Sequence, residues 1–172
     1  MSSSIILTVV SDDRPGVVKS LSELLAEKGG NWTESSMLSL AGKFAGILLA
    51  SVPDKHADSF IEGLKALEKE GMQIVAQRSG SGSVASGKRE FTLDLVGQDR
   101  HGIVQDITRI LAGHQVNVLE LETHCQSASM SGENLFLAHA RLMIPTDASL
   151  DDLQDELEKL ANELMVDIKI EN

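Results

Sequence analysis

Apolar positions along this chain change their period in a fixed order, and that order occurs twice. Ile5 to Val10 is a short run rich in β-branched residues, the pattern of a strand. Val17, Val18, Leu21, Leu24 and Leu25 then recur at helical spacing, and Gly29-Gly30 supplies a stop. Trp32 to Leu40 and Phe44 to Val52 return to strand character around a tight turn at Ala41-Gly42. A second helix over Asp54 to Glu70 carries Phe60, Ile61, Leu64 and Leu67 on one stripe, and Met72 to Ala76 closes the unit. The same series predicts elements at Phe91 to Val96, Ile103 to Ala112, Val116 to Cys125, Leu135 to Ile144, Leu150 to Leu164 and Met165 to Ile170.

Strand, helix, strand, strand, helix, strand is the split βαβ order of the ferredoxin-like class, so the predicted fold is α+β with two such units in tandem. Right-handed crossovers place both helices of a unit on one sheet face. The opposite face is then bare, yet Ile5, Ile6, Leu7, Val9 and Val10, like Ile47, Leu48 and Leu49, are apolar on both sides of their strands. Units below ~80 residues are marginal alone. Contact through sheet faces or edges is therefore expected between the repeats, between chains, or both, with a homodimer as the assembly.

The repeat can be aligned residue by residue. Asp13-Arg14-Pro15-Gly16-Val17-Val18 returns 86 positions later as Asp99-Arg100-His101-Gly102-Ile103-Val104, and the same offset carries Asn31 onto Asn117 and Glu34 onto Glu120. Phe44 and Pro53 align with Phe136 and Pro145 at an offset of 92, so six extra residues enter the second copy around Gln126 to Glu133. Between the copies, Arg78 to Lys88 is rich in Gly and Ser, with a coil span of roughly 18 Å. The predicted organisation is a first domain over 1–77, a linker over 78–88 and a second domain over 89–172.

Composition narrows the function classes. The 172 residues are 42% apolar and 24% charged, an ordered globular balance, with a net charge of −11 that gives no footing for a direct grip on nucleic acid. Any role near DNA must run through a partner protein. One cysteine, Cys125, cannot form an internal disulfide. The N-terminus lacks an export signal and no apolar run approaches the ~20 residues of a membrane span, so a soluble cytoplasmic protein without a membrane partner is expected. Seven acidic residues from Asp147 to Glu163 face one basic residue, Lys159: a solvated helix face, or a surface for a basic partner. Gly82 to Lys88 has P-loop spacing, but Arg89 stands where Ser or Thr must reach magnesium and a strand follows instead of a helix. His56, His101, His114, His124 and His139 show no ligand spacing, and His124 and Cys125 point to opposite faces of a strand. No metal, cofactor or catalytic constellation is read, and the chain is not expected to be an enzyme.

The repeated loop has two readings. Gly16 and Gly102 let backbone approach a ligand, the N–H groups of Val17, Val18, Ile103 and Val104 suit a carboxylate, Asp13 or Asp99 suits an ammonium, and Asn31 and Asn117 offer donor and acceptor together. That set fits a zwitterionic amino acid. Alternatively, Asp caps the helix, Pro15 sits in its first turn and Gly only makes the bend.

At these residues the chain resembles the ACT domain family. Asp-Arg-Pro-Gly-Val-Val after a strand, helical Leu spacing and Gly-Gly-Asn opening the next strand look like one ACT domain, and the second copy looks like another. With Asn31-Trp32-Thr33-Glu34-Ser35-Ser36-Met37-Leu38, the resemblance extends to the two-ACT repressors of glycine cleavage. It implies amino-acid sensing, with glycine the expected ligand, at interfaces between ACT units, near Asp13, Arg14, Gly16, Val17 and Asn31 and near Asp99, Arg100, Gly102, Ile103 and Asn117. It implies action through a DNA-binding regulator protein. The alternative is a regulatory subunit that binds an amino acid and controls a metabolic enzyme directly. His101 replaces the usual proline in the second copy.

Overall fold

Strict alternation opens the structure. In the computed structural model, which describes residues 1–80, 87–127 and 132–172, β1 (Ser2–Asp12) buries Ile5, Leu7, Val9 and Ser11 and leaves Ile6, Thr8 and Val10 on its other face. The strand continues past the apolar run at both ends because β3 (Lys43–Pro53) pairs with it from Ser2↔Pro53 to Asp12↔Lys43. Backbone pairing is indifferent to the polar side chains there. The helix α1 (Val17–Glu27) buries Val17, Leu21 and Leu25, and α2 (Asp54–Glu68) buries Ala57, Phe60 and Leu64. With β2 (Asn31–Leu40) and β4 (Gln73–Arg78), the first sheet has the order β2-β3-β1-β4, all antiparallel.

The second unit repeats the plan with β5 (Lys88–Gln98), α3 (Ile103–Gly113), β6 (Asn117–Ser127), β7 (Asn134–Pro145), α4 (Leu150–Leu164) and β8 (Val166–Glu171), in the order β6-β7-β5-β8. Ser149 caps α4 by accepting from the Asp152 N–H at 3.2 Å, so Asp147 of the acidic run precedes the helix. The chain divides into compact units Met1–Ser83 and Val84–Asn172, each with its own apolar core. Arg78 and Lys88, the two ends of the span read as linker, are strand residues of β4 and β5. Residues 81–86, which hold most of that span and of the P-loop-like spacing, and 128–131, at the insertion, lie outside the described residues.

Both copies end α1 and α3 with the same backbone device. Gly30 and Val116 donate N–H bonds of 2.9 Å to Leu25 and Leu111, and Gly29 and Gln115 donate to Ala26 and Ala112, the Schellman pattern. Gly29 has φ 67° and Gln115 φ 57°. Edge strands β2 and β6 also share an irregularity, a register shift between Trp32 and Glu34 and again between Val118 and Glu120. Such bulges bend an edge strand and discourage edge-to-edge growth.

The two open faces, those away from the helices, are chemically different. In the first unit, cross-strand rows read Gln77–Ile6–Leu49–Glu34, Val75–Thr8–Ile47–Ser36 and Gln73–Val10–Ala45–Leu38. The corresponding rows of the second unit read Glu171–Thr92–Arg141–Glu120, Lys169–Asp94–His139–Glu122 and Asp167–Val96–Leu137–His124. The bare apolar face expected of the fold is thus a property of the first unit, whereas charges occupy the second.

Candidate functional site

The turn from β1 into α1 is built on backbone geometry that a side chain would strain. Gly16 precedes the helix at φ 99° and Gly102 at φ 86°, the left-handed region where glycine carries no steric penalty. Neither helix start has a side-chain cap, so the helix-start residue is Gly16, not Asp13, and Pro15 lies ahead of the first turn. The intrahelical ladder begins with Ser20 N–H on the Gly16 carbonyl and Asp106 N–H on Gly102, both 2.9 Å. The N–H groups of Val17, Val18 and Lys19, and of Ile103, Val104 and Gln105, therefore have no partner inside their helix. Val17 and Ile103 bury their side chains, so only their backbone can meet a ligand.

Hairpin tips hold these loops. Asp13 donates its N–H to the Gly42 carbonyl at 3.0 Å and accepts from Ser39 Oγ at 2.5 Å on Oδ2, which leaves lone pairs on Oδ1. Asp99 donates its N–H to Asn134 at 2.8 Å. Beside the first loop, Asp12 forms an ion pair with Lys43, whose hydrogen bond and charge hold the Asp12 carboxyl below the usual carboxylate range. The partners Ser39 and Gly42 escape a search for motifs; the signal for them is the hairpin at Ala41-Gly42, whose length returns its tip to the end of β1.

Arg14 and Arg100 turn away from the loop. Arg14 Nη2 donates to the Glu70 carbonyl at 2.7 Å, and Arg100 Nη1 to the Leu164 carbonyl at 3.3 Å. Each guanidinium meets a carbonyl at the far end of α2 or α4, where cations are favoured.

Within one unit the asparagines are remote. Asn31 pairs with Ser51, which pairs with Ser4 of β1, nine residues before Asp13. Asn117 pairs with Met143 and through it with Glu90, nine residues before Asp99. Nine strand residues span about 30 Å. Asp13, Gly16 and Val17 thus share one end of their sheet and Asn31 the other, with the same division for Asp99, Gly102, Ile103 and Asn117.

A second polar cluster lies on the open face of the second unit, signalled in sequence only by the alternation of His139 and Arg141 along β7. His139 Nδ1 lies 2.6 Å from Asp94 Oδ1, and Arg141 binds both Glu90 (2.7 Å) and Glu120 (3.0 Å). The hydrogen bond that His139 donates to Asp94, then the charge of Asp94, raise the His139 pKa above the ordinary 6.5, and Glu122 and Glu120 add to the shift. A depression of about 250 Å³ lined by Asp94, Val96, Glu122, His124, Leu137 and His139 opens beside the pair. Among the described residues, no three His, Cys, Asp or Glu side chains are placed to hold a metal, and no helix is long and apolar enough to cross a membrane.

Comparison with known proteins agrees with this layout. A UPF0237 protein, MJ1558 of Methanocaldococcus jannaschii, is 32% identical over 75 residues, covering 44% of this chain and 82% of its own. A solved structure of an unknown protein from Galdieria sulphuraria superposes with a TM-score of 0.90 at 31% identity, covering 99% of this chain and 98% of that one. A candidate glycine cleavage system transcriptional repressor shares the fold, with a TM-score of 0.69 at 19% identity over 99% of this chain and 97% of its own. The ACT domain model matches residues 3–77 and again 91–171, the two units that the repeat and the sheets define, and the chain belongs to the ACT domain family.

Proposed function

We propose that the protein is an amino-acid-sensing regulator whose ligand sits at a β1–α1 loop, with glycine the first candidate. The observation that carries this reading is the duplicated loop: a left-handed glycine, an uncapped helix start and an aspartate with free lone pairs recur 86 residues apart. The ligand carboxylate meets the N–H groups of Val17 and Val18, and its ammonium meets Asp13. Asn31 lies about 30 Å from its own loop, and Asn117 stands equally far from the Asp99 loop, so neither asparagine completes the loop site of its own unit. Arg14 and Arg100 position the loops rather than touch the ligand.

The structural relative described as a candidate repressor supports carrying that role over: repression of glycine cleavage by a homodimer that acts through a DNA-binding regulator. The charge supports an indirect route, since residues 1–86 hold eight Lys and Arg against ten Asp and Glu, while 87–172 hold seven against sixteen. A protein of this charge repels a phosphate backbone, and its acidic second half is the surface offered to a basic partner.

Calorimetric titration with a panel of amino acids tests the sensing step. Binding by the native chain that is lost in the Asp13→Ala, Asp99→Ala double variant is the expected result; no binding by any amino acid overturns it. Affinity capture from native cytoplasm tests the output: a DNA-binding regulator is expected, and recovery of a metabolic enzyme alone assigns the chain as an enzyme-regulating subunit instead.

A further inference from the structure

The open face of the first unit carries an apolar centre framed by polar corners. Val75 is 61% exposed, Leu38 56% and Ile47 43%, and Val10, Ile6 and Leu49 adjoin them through the cross-strand rows. Contiguous apolar patches of this kind beyond a few hundred Å² are uncommon on monomers and mark interaction surfaces.

We infer that this face is the contact by which two copies of the chain pair, first unit on first unit, sheet against sheet. Three observations choose that occupant. First, the second unit's open face is unsuited to cover it. The positions equivalent to Ile6, Ile47, Leu49 and Val75 are Thr92, His139, Arg141 and Lys169, and burying that charged layer against aliphatic side chains removes its hydration without supplying partners. Most of its charges are already paired laterally, Asp94 with His139, Arg141 with Glu90 and Glu120, and Lys169 with Glu171, and the carboxylates of Glu122 and Asp167 are best left to water.

Second, the first unit's face is complementary to itself. A two-fold axis lying between the sheets and running along the boundary of β1 and β3 preserves the rows and exchanges their ends. Ile6 then stands over Leu49 of the second copy, Thr8 over Ile47, and Glu34 over Gln77, which pairs the one ionisable residue of the three rows with an amide and never with its own copy. Third, the area suits a modest dimer. Four strands at ~4.8 Å and three rows at ~6.7 Å cover a patch about 19 by 20 Å. Its projected area of about 380 Å² is roughly half of the ~800 Å² per partner of a standard interface, the size of a modest dimer contact, with the two sheets ~10 Å apart as in a sandwich.

This inference deepens the homodimer of the reading above by naming its pairing face, and it does not depend on amino-acid binding, because no amino acid enters the argument. The test is sedimentation velocity on the full chain at about 100 µM, well above the micromolar range of modest dimers. A dimer is expected for the native chain. An Ile47→Lys, Val75→Lys variant is expected to be monomeric, with association weakened roughly 100-fold or more, while Val96→Lys on the second unit's face leaves the dimer intact. Circular dichroism and melting of each variant confirm folding, since all three positions are exposed. A folding-independent check uses Thr8→Cys in a Cys125→Ser background: a short bismaleimide should link two chains through position 8, and Val96→Cys in the same background should not. A monomeric native chain, an undiminished dimer in the Ile47→Lys, Val75→Lys variant, or linking through position 96 instead of 8 overturns the inference.

Discussion

His139 and Asp94 form a pH-dependent contact that can be followed at single-residue level. The imidazole's pKa is raised in the folded chain, first by the hydrogen bond it donates to Asp94 and then by the charge of Asp94. A raised folded value means that the pair's contribution to stability is complete below the unfolded value of about 6.5 and disappears as pH climbs through the folded value. Imidazole resonances followed by NMR should show His139 titrating above the ordinary value, and Asp94→Asn should return it toward that value. The melting temperature of the native chain should exceed that of Asp94→Asn by more at pH about 6 than at pH about 8.5. The effect is small, because both side chains are about half exposed and screened by solvent. Equal gaps at the two pH values would remove the ion pair from the account.

Elements of the two units are near copies, and their differences compensate in pairs. In the first unit Gly46 faces Met37 across β2 and β3, and a Cβ at Gly46 would overlap Met37 Cγ and lie 2.9 Å from the Ser36 carbonyl oxygen. In the second unit the same pair is Ala138 and Thr123, one methyl more on one strand and a shorter side chain on the other. Gly46→Ala should therefore destabilise the chain by about 1–3 kcal/mol, as overpacking does. Adding Met37→Thr should restore part of that loss, so that the double-mutant cycle reports coupling on denaturant unfolding. Additive effects would mean that the glycine serves the backbone and not Met37. The fold was legible at this scale because apolar periods of two and 3.6 residues alternate without interruption, and all twelve elements fall where those periods place them. Element ends were less legible. Ser2 to Ser4 and Ser11-Asp12 join β1 through pairing with β3, a backbone interaction that no side-chain pattern announces. Gln115 likewise hides a left-handed turn that Gly29 advertises in the first copy.

For the whole molecule, the site residues were legible as a duplicated motif, but their grouping was not. Spacing along the chain shows Asn31 fifteen residues beyond Gly16, and only the sheet register shows that a helix and a turn carry the chain back to the opposite end of β1 before Asn31 begins β2. Nor could spacing reveal that Arg14 and Arg100 are committed to carbonyls at the ends of the second helices, because those partners lie 56 and 64 residues away. The separation of loop and amide within a unit makes a prediction of its own. Groups that touch one ligand couple in a double-mutant cycle, whereas groups beyond ~10 Å with no shared partner are additive within about 0.5 kcal/mol. On the calorimetric affinity for the amino acid, Asp13→Ala and Asn31→Ala should be additive within about 0.5 kcal/mol. Coupling of about 1 kcal/mol or more would mean that Asn31 of a second chain reaches the same ligand, since ~30 Å separates loop and amide within a unit.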